Sequence, residues 1–244
     1  MRSLSIVAVL LIGVQMTLVA QRLQKGATVL ETRVLANHRK LILWMPDAAK
    51  HPYENGEIYT CPDMSRGSFY SGDVRVTLVN TRSQRIINTL DVKGNGDSIG
   101  PRPSAQDPLD LPYAIRSGYY YYVPTGSRKT ERKPRIINLK DYNGDGKALE
   151  FALFDAPACM GLGTSLIGYN ERTDRVVQYP ITIHTPEGTT TDYWLDYLFS
   201  EKPKRPMRWS YNIDYRGREG TLDMFRVKYD PKRQAFDATV KRRQ

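Results

Sequence analysis

Met207-Arg208-Trp209-Ser210-Tyr211-Asn212-Ile213-Asp214-Tyr215 alternates a large apolar residue with a polar one at every step. A period of two sends successive side chains to opposite faces of a pleated strand, whereas a helix would repeat every three or four residues. The same alternation continues downstream, where Phe225, Val227 and Tyr229 lead into Asp230-Pro231 and Phe236, Ala238 and Val240 lead out. A C-terminal meander of three strands follows. The period slips by one between Leu222 and Phe225, which predicts a β-bulge there.

Working outward, Val74, Val76 and Leu78 alternate with Arg75, Thr77 and Val79. They are followed by the turn-like Asn80-Thr81-Arg82-Ser83-Gln84 and then Ile86-Ile87, a hairpin pattern. Val177, Tyr179, Ile181 and Ile183 alternate likewise, and residues 41–45 and 119–123 read as further strands. Helix is scarce. The best window is residues 191–199, with Thr191 as the cap and Pro203 as the break, and it would set Asp192 and Asp196 one turn apart. Residues 94–114, rich in glycine and proline, form the clearest loop. The expectation is a mostly β chain of antiparallel hairpins and meanders, arranged as a sandwich or a propeller-like sheet, with little helix.

The first twenty residues read as a cleavable signal peptide. Arg2 gives a charged start, residues 6–14 form an unbroken apolar run, and Ala20 supplies the small residue before Gln21. Gln15 and Thr17 interrupt the run well short of the roughly 18 apolar residues that a membrane span requires. Residues 21–244 are then expected to form a single exported, mostly β domain in the periplasm or outside the cell, with no transmembrane span once the signal is removed.

The chain carries a formal net charge of +10, and only Arg2 is lost with the leader. For an exported protein the anionic partners within reach are envelope polymers, lipid head groups and acidic glycans, and nucleic acid is out of reach. Basic residues gather at 128–135, at Lys202-Pro203-Lys204-Arg205 with Arg208, and at Lys241-Arg242-Arg243. Each reads either as a solvated stretch or as part of an anion-binding surface. The two cysteines, Cys61 and Cys159, are expected to form a disulfide in an oxidising compartment, worth on the order of 4 kcal/mol in the chain-entropy account.

The most specific local pattern is Asp141-Tyr142-Asn143-Gly144-Asp145-Gly146-Lys147-Ala148-Leu149-Glu150. Side-chain oxygens stand at positions 1, 3 and 5, Gly146 permits a sharp bend at position 6, the Lys147 carbonyl adds a ligand and Glu150 can close the shell. That is a set of hard oxygens suited to Ca²⁺. The competing reading is an ion-free turn, since Asn-Gly and Asp-Gly are favoured hairpin turns. Position 12 is Ala152, where a helix-loop-helix calcium site needs a carboxylate, and the strand-like Phe151-Ala152-Leu153-Phe154 points to a β setting.

The loop resembles the calcium loops of FG-GAP and VCBS-type repeats of exported β-propeller modules. That resemblance implies a structural Ca²⁺ held by Asp141, Asn143, Asp145, Lys147 and Glu150. Through Tyr59-Thr60-Cys61-Pro62, residues 141–146 and Cys159-Met160-Gly161, the chain also resembles a group of uncharacterised exported bacterial proteins, which implies a compartment and leaves the reaction blank. An internal echo at an offset of 50 aligns Ile86-Ile87-Asn88, Asp91, Gly94 and Gly96 with Ile136-Ile137-Asn138, Asp141, Gly144 and Gly146, read as two similar hairpins.

Catalytic patterns fail on spacing. His38, His51 and His184 are isolated, residues 161–168 miss the nucleophile-elbow spacing around Ser165 and read as a glycine-rich turn, and a thiol pair of Cys159 with His184 has only residue types in its favour. Two function classes follow. The first is a non-catalytic exported module that binds an anionic envelope polymer or another exported protein. The second is a hydrolase of envelope glycans or peptides built on carboxylates such as Asp107, Asp110, Asp192 and Asp196.

Overall fold

The computed structural model describes residues 23–51, 69–94, 109–112, 115–116, 119–121, 135–158, 161–214 and 220–243. Residues 1–20, read above as a signal peptide, together with Cys61, Cys159, Tyr215 and most of the glycine- and proline-rich stretch, lie outside them. In chain order the strands are β1 (Thr28–Val34), β2 (Arg39–Met45), β3 (Ala49–His51), β4 (Phe69–Gly72), β5 (Arg75–Asn80), β6 (Arg85–Asp91), β7 (Leu109–Pro112), β8 (Ile115–Arg116) and β9 (Tyr119–Tyr121). They continue with β10 (Glu150–Ala158), β11 (Gly161–Asn170), β12 (Arg175–Gln178), β13 (Ile181–Thr185), β14 (Gly188–Asp192), β15 (Leu195–Asp196), β16 (Arg208–Asp214), β17 (Leu222–Asp230) and β18 (Ala235–Arg243). The chain is all β across the described residues, as the alternation requires.

Three sheets carry the architecture. The first runs β1-β2-β5-β6, the second β10-β11-β12 with β15 beside β11, and the third β14-β13-β18-β17-β16. Two smaller sheets, β3-β4-β7 and β8-β9, complete the set. Two apolar cores fix the stacking. Leu41, Leu43, Val76 and Leu78 of the first sheet pack with Phe151, Leu153, Ile167 and Val176 of the second, while Ala152 and Leu166 of the second pack with Trp209, Phe225, Val227, Phe236 and Ala238 of the third. The second sheet is therefore the middle layer, and its strands bury both faces. This explains why residues 150–153 of β10 and 162–170 of β11 are buried at successive positions while β16 alternates strictly between exposed and buried residues.

Several expectations are corrected here. Residues 191–199 form no helix: β14 ends at Asp192, β15 takes Leu195–Asp196, and a turn follows in which Tyr197 has φ 59°. The reason is burial in both directions, since Trp194 enters the first core while Leu195, Leu198 and Phe199 enter the second, and a helix would present one stripe to one core. Residues 161–168 are not a turn but most of β11. No bulge interrupts β17, because the slip in period is Asp223 pointing inward with 4% exposure, held bidentately by Arg242 Nε and Nη2 at 3.0 Å each. Residues 136–139 are not a strand, so the echo at an offset of 50 does not describe two similar hairpins. The glycine- and proline-rich stretch contains β7.

A different repetition organises the layers. The hairpins β5–β6, β11–β12 and β17–β18, one in each large sheet, share a four-residue turn opened by Asn80, Asn170 or Asp230. In each, that residue's Oδ1 accepts the N–H groups two and three residues on, at 2.9–3.3 Å, and the last turn residue, Gln84, Asp174 or Gln234, is left-handed with φ 51–55°. The turns also meet. Asn170 Nδ2 donates to Gln234 Oε1 at 2.8 Å, and Asp174 receives Arg39 Nε and Nη2 from the first sheet at 2.7 Å each.

Candidate functional site

Two places concentrate polar chemistry: the loop at residues 141–149 and the outer face of the third sheet. The loop enters β10 at Glu150, whose carboxyl lies inside the second core at 1% exposure. Asp141 Oδ1 and Oδ2 accept the N–H groups of Gly144 and Gly146 at 2.6 and 2.9 Å, Asn143 Oδ1 accepts that of Asp145 at 2.9 Å, and Asp145 Oδ1 accepts that of Lys147 at 2.9 Å. The short side chains at positions 1, 3 and 5 therefore all fold back on the loop. The Asn143 amide is buried and donates to Glu150 Oε1 at 2.9 Å and to Asp145 Oδ2 at 3.3 Å. Lys147 reaches outward to Glu171 in the turn of the middle layer.

Glu150 is an unusual carboxyl. Tyr142 N–H donates to its Oε2 at 3.2 Å, and the Tyr179 hydroxyl stands 3.5 Å from its Oε1. Burial pushes its pKa up to about 8, the Tyr142 N–H opposes that rise, and the negative charges of Asp145 and Asp141 add to it. Burial raises the Tyr179 phenol as well, with the Glu150 charge adding to the effect. Space is tight around the loop. A Cβ on Gly168, across the strand from Glu150, would come within 2.8 Å of Glu150 Cγ, and one on Gly144, whose φ is +76°, within 2.5 Å of Met207 Cγ.

Of the residues read as calcium ligands, the fold brings Asn143, Asp145 and Glu150 into direct hydrogen-bonded contact, while Asp141 serves the loop backbone and the Lys147 side chain points to Glu171. Among the described residues, no three His, Cys, Asp or Glu side chains stand together as a metal-ligating group. Of the carboxylates read for a hydrolase, Asp192 ends β14 in the third sheet and Asp196 lies on β15 in the second, while Asp107 and the side chain of Asp110 fall outside the described residues. Ser165 is buried and bonded to Gln178 Nε2 at 2.8 Å, which gives it a structural role. His184 is exposed beside Thr189 Oγ1 at 3.0 Å.

The second place was only partly legible in the sequence. The outward residues of the third sheet line up across strands in two rows, Arg208, Lys228, Asp237 and Thr182 in one and Ser210, Arg226, Thr239 and His184 in the other. With Lys204 and Arg205 before β16 and Arg233 from the last hairpin turn, all of these but Thr182 line an open cleft of about 850 Å³. Among the described residues six cations thus meet one carboxylate, Asp237, which accepts Arg233 Nη1 at 2.8 Å and lies 3.9 Å from Lys228 Nζ. Arg208 and Lys228 face each other directly across two strands, where like charges destabilise a sheet. The clusters at 202–208 and 241–243 were visible as runs. Arg226 and Lys228 were not, because alternation spaces them among apolar residues and only the register brings Lys228 opposite Arg208, and Arg233 was not, because it lies in the hairpin turn that β17 and β18 fold over this face.

The chain matches no protein-family model, no curated protein and no solved structure.

Proposed function

We propose that this protein is an exported, non-catalytic β module that binds an anionic polymer of the cell envelope, with its 141–150 loop stiffened by calcium. The observation that carries this reading is the cleft on the third sheet. Six cations around one carboxylate create a positive field that attracts a polyanion and offers it several charge-assisted hydrogen bonds. Export is supported by Arg2, the apolar run at 6–14 and Ala20, and a bridge between Cys61 and Cys159 belongs to the same reading.

Calcium is supported by the loop's oxygen spacing together with the contact of Asn143 with Asp145 and Glu150. Turning the Asn143 amide oxygen inward, in place of its nitrogen, would set a neutral oxygen beside the two carboxylates. The test is direct. The secreted protein, recovered from culture, should begin at Gln21 by mass spectrometry, show no free thiol on denaturation without reduction, and bind an acidic envelope polymer with an affinity that falls steeply between 50 and 200 mM salt. Indifference to every polyanion offered would overturn the binding reading.

A further inference from the structure

We infer that the cleft on the third sheet takes a linear phosphodiester polymer, a chain of polyols joined by phosphates, and recognises it by its phosphate groups. This rests on the reading of that cleft as an anion-binding surface and goes further by naming the ligand's chemistry.

Spacing comes first. Arg226 and Lys228 lie two residues apart on one strand, a step of about 7 Å, while Arg208 stands directly across from Lys228 at about 5 Å. The cations therefore form a short ladder rather than one focus. Successive phosphates separated by a three-carbon polyol can meet neighbouring rungs, whereas carboxylates of a linked uronic acid chain point alternately to opposite sides and reach one face only at every second sugar. Four of the six cations are arginines, whose planar forks pair two N–H groups with the oxygens of a phosphate. Ser210 and Thr239 flank Arg226 in its row and supply neutral hydroxyl donors between the charges.

What the cleft lacks supports the same assignment. Among the described lining residues Trp209 has its ring in the second core at 3% exposure and the exposed His184 imidazole is the one other ring, so they offer no Trp, Tyr or Phe face on which a sugar ring or a base could stack. A lipid surface is disfavoured as well. The large hydrophobics that stand exposed among the described residues are Val29 and Val34 of β1, in the first sheet, so no apolar anchor accompanies the cations. The like-charged pair Arg208 and Lys228 gains relief when an anion sits between its members, which gives the face a reason to keep an arrangement that weakens the empty sheet.

The experiment compares four ligands of matched charge on the whole mature protein: a poly(glycerol phosphate) oligomer, polygalacturonate, single-stranded DNA and phosphatidylglycerol vesicles, each titrated at 50 and 200 mM salt. The inference expects the glycerol phosphate oligomer to bind at least about tenfold more tightly than polygalacturonate, a difference of about 1.4 kcal/mol. Arg208→Ala and Arg226→Ala, both at exposed positions, should each weaken that binding severalfold and lower its salt slope by about one, with melting temperatures unchanged or raised. Equal affinity for the phosphate and carboxylate polymers would overturn the phosphodiester assignment while leaving the anion-binding reading standing. Preference for DNA or for vesicles would overturn the polyol chain in favour of that ligand, and failure to bind any of the four would overturn both readings.

Discussion

The side-chain amide of Asn88 pairs with both backbone groups of Val176, its Nδ2 donating to the carbonyl and its Oδ1 accepting the N–H, each at 3.0 Å. Asn88 lies on β6 of the first sheet and Val176 on β12 of the middle one, so one side chain supplies the ladder pair that a further strand would have supplied. Gln178 does the same for Lys93, accepting its N–H at 2.9 Å and donating to its carbonyl at 3.0 Å, and the Trp194 indole N–H donates to that carbonyl too. Two sheets that pack face to face are thus also joined at one edge.

Asn88→Ala should therefore destabilise beyond the loss of its own contacts, because it strands the N–H and carbonyl of Val176, a residue with 1% exposure. A loss of about 1–3 kcal/mol is expected, with a melting temperature lower by several degrees. Asn88→Asp, which keeps the acceptor and loses the donor, should fall between. An unchanged denaturation midpoint in Asn88→Ala would show that water replaces the clasp at no cost.

The inward carboxylate of β17 gives a second expectation. Removing its partner by Arg242→Met leaves Asp223 inside the sheet with its fork of donors gone, so a loss of about 2 kcal/mol is expected, the partial exposure of Arg242 having moderated the value for a fully buried pair. Adding Asp223→Leu should recover most of that loss by replacing the stranded charge with an apolar group. Urea denaturation of the single and double variants checks both steps, and a double variant less stable than Arg242→Met would contradict the account.

Glu150 predicts a pH dependence of defined sign. Its folded pKa of about 8 lies above that of an unfolded glutamate, about 4.3, so the folded state binds this proton more tightly. The stabilisation is fully present below about pH 4.3 and is lost as the pH rises through about 8. In chelator, the wild type should lose on the order of a few kcal/mol between pH 5 and pH 8 relative to Glu150→Gln, whose side chain carries no titrating proton. Parallel stability profiles for the two proteins across that window would refute the assignment.

Calcium should reverse that loss. An ion that binds only the folded loop stabilises it by about 2.7 kcal/mol at 100 times its dissociation constant, and above neutral pH it would meet Glu150 increasingly ionised. The melting temperature at pH 8 should rise with Ca²⁺ and much less with Mg²⁺, and Asp145→Ala should abolish the response. Identical melting curves in millimolar calcium and in chelator would leave residues 141–150 as a hydrogen-bonded turn.

Gly168→Ala tests how tightly the loop's anchor is packed. The added methyl would meet Glu150 Cγ at 2.8 Å and Tyr179 Cε2 at 3.1 Å in the middle layer, so a loss of about 1–3 kcal/mol is expected. Shortening the opposing side chain in the double variant with Glu150→Ala should recover part of it, and a neutral Gly168→Ala would show that β10 shifts freely.

The sequence by itself determined the strand class and many strand positions, because side-chain alternation is a local property: β5 and the meander β16–β18 can be read directly from period two. It also marked the oxygen-rich loop, whose turn residues act within ten positions of one another. Tertiary structure decided the rest, since layer and register depend on what packs across the chain. Val177, Tyr179, Ile181 and Ile183 read as one strand, yet Pro180 divides them between the second and third sheets, and the alternation survives because both parts face the same core. Residues 191–199 look helical until Trp194 and Leu195 enter different cores. β13 lies parallel to β18, a pairing of distant segments that no local pattern encodes, and the basic cleft exists only because antiparallel register sets Lys228 opposite Arg208. A charge's position along the chain is written in the sequence, but its neighbours across a sheet are chosen by the burial of the apolar residues between the charges, and burial is a property of the whole fold.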